Sequence, residues 1–171
     1  MAHEFFHSWN VERIRPRTLE PFDFERANLT GELWMAEGFS QYYAPLVLRR
    51  SGLRRLREFA DDLSELIDQF NAASMTRLRT LPQLSEMAPF TDQGLAMDRT
   101  NWATTAPSYY PMGAAIALAL DLELRQRSDG ARALDDFMRA LWVRFGQPTT
   151  RPGYVARPYT AAEDRKSTRL N

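Results

Sequence analysis

The sequence lacks cysteine, contains only two histidines, and has a single lysine among its 22 basic residues. Without cysteine, disulfide bonds and thiolate ligands are excluded, so a metal ion would have to be held by histidine and carboxylate side chains. The formal net charge is zero, which provides no basic field for nucleic acid or anionic lipid. The longest largely apolar stretch, around residues 112–122, is shorter than the roughly 20 residues of a membrane span. We therefore expect a soluble protein of the cytoplasm or periplasm, with no nucleic-acid partner and no membrane span.

The residues that are present are typical of one globular domain. Hydrophobic residues make up 44% and charged residues 26% of the 171 positions, so a core can form without a cofactor. We expect this domain to occupy residues 1–164 and to be a fragment, because its first motif begins without the capping turn that a helix normally needs. Residues 165–171 contain the only lysine and resemble translated adapter sequence. They are predicted to be a non-native tail.

The spacing of apolar residues predicts a mainly α-helical fold. Five helices are expected, over residues 2–13, 28–50, 53–70, 110–127 and 134–145. Asn28 or Thr30 could cap the second helix, and Pro45 within it predicts a kink or an early stop. The fourth helix is apolar on several sides, which favours a central position. Proline and glycine break the pattern between residues 72 and 107 and predict loops there.

The two histidines lie four positions apart in the segment HEFFH, residues 3–7. Four residues are about one helical turn, so the His3 and His7 imidazoles can face a single metal ion. Glu4 lies about 100° further around the helix. From there its carboxylate could act on a metal-bound water as a general base, as in HExxH metallopeptidases. A five-residue pattern can also arise by chance, and the histidines would then be polar surface residues.

A catalytic zinc site needs a third protein ligand, and no histidine remains to supply it. Among the 22 acidic residues we favour Glu37, which lies on the next helix between Trp34 and Phe39. Those aromatic side chains would keep the site dry, and Gly38 would let this helix approach the metal-bearing helix closely. The alternative is that Glu37 is a solvated carboxylate on a helix surface.

Several other polar residues have less specific interpretations. Gln41, one turn beyond Glu37, could orient a metal ligand. Arg13 and Arg15 could bind a substrate carboxylate, although pairing with acidic residues at the surface is the simpler prediction. The pairs at 61–62 and 135–136 are expected to be exposed carboxylates, and the apolar stripes of the third and fifth helices are expected to form core.

Four longer segments resemble the glycyl aminopeptidase family of gluzincin zinc metallopeptidases: HEFFHSWNVERIRP, LWMAEGFSQYY, SYYPMGAAIALALDLELRQRSDG and LDDFMRALWVRFG. They are spread over residues 3–146 and so cover most of the chain. The resemblance implies the helical C-terminal half of a thermolysin-like catalytic domain. It also implies that zinc is held by His3, His7 and Glu37, with Glu4 as the catalytic base.

The resemblance further implies a role for a tyrosine. In related gluzincin aminopeptidases, the tyrosine of a Y-x-K-G element donates a hydrogen bond to the oxyanion of the tetrahedral intermediate. The matching stretch here is YPMG, residues 110–113, so Tyr110 is the candidate and Met112 replaces the lysine. Alternatively, Tyr110 is an aromatic residue that only packs at the start of a helix.

The function implied by this resemblance is zinc-dependent hydrolysis of a peptide substrate. Aminopeptidase action on a small N-terminal residue such as glycine or alanine is expected. Full-length relatives carry an upstream β-rich region and a PDZ-like domain, so we expect the chain alone to bind zinc weakly and to be poorly active. A non-catalytic helical binding module with a vestigial metal site remains the alternative, which the replacement of lysine by Met112 favours.

Overall fold

The computed structural model describes residues 1–72, 79–91 and 108–160. Its α-helices are α1 (Ala2–Phe6), α2 (Leu33–Arg50), α3 (Leu56–Ala72), α4 (Leu81–Glu86), α5 (Ala88–Thr91), α6 (Tyr109–Arg127) and α7 (Leu134–Phe145). A 3-10 turn occupies Arg17–Leu19. Within the described ranges, extended pairing is limited to isolated bridges. The prediction of a mainly helical fold is confirmed.

Two further predictions concern a membrane span and the C-terminal tail. None of the helices in the described part of the chain is long and apolar enough to cross a bilayer. The predicted tail at 165–171 lies outside the described residues, as does much of the predicted loop region between 72 and 107.

The centre of the fold is helix α2, which packs most extensively against α6 and also contacts α1, α3 and α4. Its buried side chains include Phe39, Tyr42 and Tyr43, each no more than 3% exposed. Helix α7 contributes four buried residues at helical spacing to the same core: Leu134, Met138, Leu141 and Phe145. The expectation that the apolar stripe of this last helix forms core is met.

Two glycines allow α2 and α6 to cross with their backbones in contact. A Cβ atom on Gly113 would lie 1.8 Å from the main-chain oxygen of Trp34, and one on Gly38 would lie 2.4 Å from the Cα atom of Gly113. Only residues without a side chain fit such a crossing. Our prediction that Gly38 faces the metal-bearing helix was wrong. Successive helical residues are rotated by about 100°, so Gly38 faces α6 while Glu37 faces α1.

The first helix is much shorter than its predicted span of 2–13. It ends at Phe6, and the following residues form turns in which Glu12 N donates to His7 O and Ile14 N donates to Trp9 O. Val11 has a φ of 109°, a conformation that a right-handed helix cannot contain. The turns bury Asn10 and Ile14, which are 0% and 1% exposed.

The second helix begins later than predicted. Asn28 does not cap it; its side chain instead closes a loop with the main chain of Asp23. The hydroxyl of Thr30 bonds to Glu32, ahead of the first helical residue. Pro45 does not end the helix, which continues to Arg50. The carbonyl that loses its partner at this proline belongs to Gln41, an exposed residue, where water can replace the missing donor.

The expectation that the apolar stripe of the third helix is core is met only in part: Leu63 packs against the core, but most of the stripe does not. Only Leu66 is buried in α3, whereas the stripe is largely exposed at Leu53, Leu56, Ile67 and Phe70. Helix α3 lies at the edge of the described fold and contacts α2 and α6 along part of its length. The spacing therefore predicted a helix correctly but not how much of its apolar face is covered.

Arg15 pairs with a nearby acidic residue, as predicted, but the pair is buried and does not lie at the surface. Its guanidinium is 2.6 Å from the Glu20 carboxylate and donates to the main-chain oxygens of Val11, Glu12 and Gly153. Since these partners occupy the guanidinium, it is not available to a substrate carboxylate. Tyr159, fully buried, pairs with the same segment through Arg15 O and Arg17 N. Arg13 is exposed.

Two of the acidic residues expected at the surface are partly buried. Asp62 binds Arg54 at 2.7 Å, and Asp135 accepts hydrogen bonds from Tyr43 and Arg50 at 3.0 Å. A further carboxylate, Asp121, is only 4% exposed. It accepts from the Tyr42 hydroxyl, from Arg125 and from the main-chain N–H of Leu134, so it links three helices.

Candidate metal centre

Three side chains from two helices converge at the N-terminal end of the chain. The Nε2 atoms of His3 and His7 are 3.0 Å apart, and they lie 2.9 and 3.2 Å from one carboxylate oxygen of Glu37. The histidines come from α1 and the turn that ends it, and Glu37 comes from the second turn of α2. All three residues are partly buried.

This triangle of donor atoms is suited to a divalent cation. Zinc binds nitrogen and oxygen at about 2.0–2.2 Å, and tetrahedral angles then place the donors about 3.3–3.6 Å apart. The three observed separations, 2.9–3.2 Å, are slightly shorter, so the side chains would move apart by a few tenths of an ångström around an ion. Three donors also leave one tetrahedral position open, which is the arrangement of catalytic rather than structural zinc sites.

The orientation of His7 is fixed from outside the triangle. Its Nδ1 atom is 2.9 Å from the main-chain oxygen of Asn10. A carbonyl oxygen can only accept, so Nδ1 carries a proton, and Nε2, the nitrogen that faces the other two side chains, is the one left to bind a metal ion. The hydroxyl of Ser40 lies 3.4 Å from the same Nδ1 atom. A second set of contacts therefore selects the histidine tautomer that a metal ligand requires.

The electrostatics of the site favour an ionised carboxylate. Burial raises the pKa of Glu37, but the hydrogen bonds and charges of His7 and His3 outweigh burial and hold the pKa below its usual value. The hydrogen bond to Glu37 in turn raises the pKa of His7, against the opposing effect of burial. Metal binding requires the deprotonated form of each ligand, and the pKa shift of Glu37 is in that direction.

Glu4 and Tyr110 lie beside this triangle. Glu4 is exposed, and its charge is close enough to help raise the pKa of His7. The Tyr110 ring is stacked near that of His3, with centroids 6.0 Å apart and planes inclined by 29°. It also stacks on Tyr109 at 4.9 Å. Tyr110 is one turn before Gly113, the residue at which α6 crosses α2.

Gln41 is exposed and lines the same pocket as His3, but no hydrogen bond joins it to His3 or Glu37. Sequence reasoning instead missed Asn10 and Ser40. The only sequence signal for Asn10 was a polar residue between Trp9 and Val11, and nothing marked Ser40 as a neighbour of His7. The Nδ1 atom of His3 is buried and has no partner among the described residues.

Comparisons with known proteins show a peptidase family and a similar fold. The sequence model of the M61 glycyl aminopeptidase family matches residues 1–116, a range that includes all five candidate site residues. The crystal structure of an aminopeptidase N family protein from Idiomarina loihiensis is similar, with a TM-score of 0.75 and 26% sequence identity. The similarity covers 99% of this chain and 30% of that one, so the chain spans about a third of the solved protein. No curated protein matches.

Proposed function

Because this chain belongs to the M61 glycyl aminopeptidase family, we propose that it carries the catalytic centre of a zinc-dependent peptidase. The observation that supports this most strongly is the triangle of His3, His7 and Glu37, whose donor atoms lie 2.9–3.2 Å apart. These three residues would hold the ion. A bound zinc would supply Lewis acidity at the scissile carbonyl and lower the pKa of a coordinated water towards about 7.

Glu4 is proposed as the general base. It follows His3 directly on α1 and is exposed, so its carboxylate is open to a water molecule and does not belong to the ligand triangle. Glu4 would accept the proton of the attacking water and deliver it to the leaving amine. General acid–base catalysis of this kind contributes about 10²- to 10⁴-fold in rate.

Tyr110 is proposed as the hydrogen-bond donor to the oxyanion. Tyr110 belongs to α6, and its phenol ring is stacked near the ring of His3. A donor that is already in place where negative charge develops stabilises the transition state without a reorganisation cost. Since the ring also packs on Tyr109, its orientation is restricted before any substrate binds.

The proposed substrates are peptides with a small N-terminal residue, glycine or alanine. Support comes from the family description and from the aminopeptidase N family protein with the similar fold. Because the chain spans about 30% of that protein, we propose that other parts of a longer protein, including a β-rich region and a PDZ-like domain, complete the substrate cleft.

The test uses the complete gene product and chromogenic glycyl and alanyl amides. We expect Glu4→Gln to keep one zinc per chain, measured by mass spectrometry, and to lose about 10²- to 10⁴-fold in kcat. Glu12→Gln is a matched control, because Glu12 is an exposed glutamate in the adjoining turns; it should leave kcat unchanged. Equal activity of wild type and Glu4→Gln would remove Glu4 from the mechanism.

A second candidate function is a non-catalytic helical binding module with a vestigial metal site. Met112 favours it, because this residue stands where the aminopeptidase element has lysine and its side chain is 8% exposed, so the position offers packing instead of a charge. This candidate predicts no hydrolysis of any aminoacyl amide by the zinc-loaded complete protein.

A further inference from the structure

We propose that Asn10 is a positioning residue that holds the two halves of the metal centre in register, and this inference rests on the proposed function. Asn10 lies between the histidines of α1 and the helix that carries Glu37. It is fully buried and contacts both. Its side chain binds the α2 turn around Glu37, and its main chain orients His7.

The side-chain contacts fix Asn10 to α2. Its Nδ2 atom is 2.7 Å from Ala36 O, 3.2 Å from Met35 O and 3.3 Å from Ser40 Oγ. Met35 and Ala36 directly precede Glu37, so the amide is tied to the turn from which the carboxylate projects. The Ala36 oxygen is shared with Ser40, whose hydroxyl donates to it at 2.7 Å.

The main-chain contact fixes His7. The Asn10 carbonyl oxygen is the 2.9 Å acceptor for His7 Nδ1, and Asn10 N donates to Phe6 O at 3.1 Å. A displacement of Asn10 would therefore move the acceptor that selects the His7 tautomer. One path from Glu37 to His7 outside the triangle therefore runs from the α2 turn through the Asn10 amide and main chain to its carbonyl oxygen and the imidazole. The other contact from α2 to His7 Nδ1 is the Ser40 hydroxyl, at the longer distance of 3.4 Å. Partners of metal-ligating histidines affect metal affinity through such orientation.

The other end of the Asn10 side chain indicates that packing alone does not explain this residue. Its Oδ1 atom is buried with no partner among the described residues. An unsatisfied buried acceptor costs free energy that an apolar residue of similar volume would avoid. The stabilising contacts of the Asn10 amide are therefore those of its Nδ2 group, which donates to the carbonyl groups next to Glu37.

The experiment measures zinc affinity in the complete gene product by competition with a chelating dye. The expected result is a loss of about 10- to 100-fold in zinc affinity for Asn10→Ala. Asn10→Asp keeps the shape but removes both N–H donors, and we expect a loss in the same range. The visible spectrum of the Co²⁺-substituted protein should change in both variants, because the ligand geometry changes.

Ser85→Ala is the matched control for a purely structural effect. Ser85 is also fully buried and also bonds to the α2 backbone, accepting from Trp34 N at 3.0 Å, but it does not contact either histidine. We expect Ser85→Ala to lower the melting temperature of the metal-free protein while zinc affinity stays within about 2-fold of wild type. Wild-type zinc affinity in Asn10→Ala, or an equal loss in Ser85→Ala, would overturn the role of Asn10.

A nuclear magnetic resonance measurement covers the case in which Asn10→Ala fails to fold. In the zinc-loaded wild-type protein, His7 should carry a slowly exchanging proton on Nδ1, and in Asn10→Ser that proton should exchange faster. A His7 that is protonated on Nε2 contradicts the positioning role. Failure of the proposed function is distinguishable, because it would appear as absence of stoichiometric zinc in the wild type itself.

Discussion

Replacing Gly113 by alanine tests the close crossing of α2 and α6. Helix propensity and steric contact predict opposite signs for the change in the free energy of unfolding. Alanine is the better helix former and should stabilise an exposed helix by about 0.5–1 kcal/mol. At position 113, however, the new Cβ atom would lie 1.8 Å from Trp34 O, and real Cβ atoms do not approach within 3.0 Å. The helices α2 and α6 would have to separate by about 1.2 Å, the difference between these distances.

The size of the loss in the free energy of unfolding depends on how rigid the α2 backbone is at the contact. Overpacking a core costs about 1–3 kcal/mol, and the upper end applies here because the contact is with backbone that cannot rotate away. Subtracting the helix propensity gain leaves a net loss of about 2 kcal/mol. For a protein of this size that corresponds to a fall of about 4–8 °C in melting temperature. Tyr110, one turn before the crossing, should move relative to His3, so kcat should also fall.

The assay is thermal unfolding of the metal-free protein, followed by kinetics on the zinc-loaded protein. Gly31→Ala is the control, because the nearest atom to a Cβ there would be a Pro82 side-chain carbon at 3.3 Å, and the nearest backbone atom would be 3.7 Å away, an ordinary contact. Its effect should stay within about 0.5 kcal/mol. A Gly113→Ala protein that melts at or above the wild-type temperature would refute the close crossing.

Two further predictions concern buried carboxylates. Asp121→Asn should lower the free energy of unfolding, measured in urea, by about 3 kcal/mol, because hydrogen bonds to a charged group contribute about 1.5–3 kcal/mol each. The Tyr42 hydroxyl and the Leu134 N–H donate to different carboxylate oxygens, and an amide keeps only one oxygen to accept them. A loss below about 0.5 kcal/mol contradicts this. Burial raises the pKa of Asp135, but hydrogen bonds from Arg50 and Tyr43 outweigh it and lower the pKa below its usual value. The stabilisation is therefore present above the unfolded pKa of about 3.9 and lost as the pH falls through the lower folded value. The difference in urea midpoint between wild type and Asp135→Asn should shrink between pH 7 and pH 3, and a constant difference would exclude the pair as its source.

Local sequence signals predicted the helices well where the helices are regular. The bounds of α6 and α7 differ from the predicted ones by one residue at most, because apolar spacing and the following glycines act within the helix itself. The first helix was predicted too long, since the φ of 109° at Val11 is imposed by the buried turn around Asn10. Pro45 shows the reverse case, in which packing of α2 on its neighbours overrides a local helix breaker.

The candidate site was accessible to sequence reasoning only in part. The pairing of His3 and His7 needed only helical geometry, whereas Glu37 was favoured for its aromatic neighbours and by the resemblance to the family; their roles as metal ligands stay predictions. Asn10 could not have been predicted, because its function depends on α2 carbonyl groups some 25 residues away in sequence. The partner of Gly38 was assigned to the wrong helix for the same reason: the sequence shows a small residue but not which backbone lies against it.

The measurement that tests the central claim most directly is a crystal structure of the zinc-loaded protein with anomalous scattering at the zinc edge. The account predicts one zinc ion at about 2.0–2.1 Å from the Nε2 atoms of His3 and His7 and about 2.0–2.2 Å from an oxygen of Glu37. Zinc bound elsewhere, or at the histidines without Glu37, would contradict it.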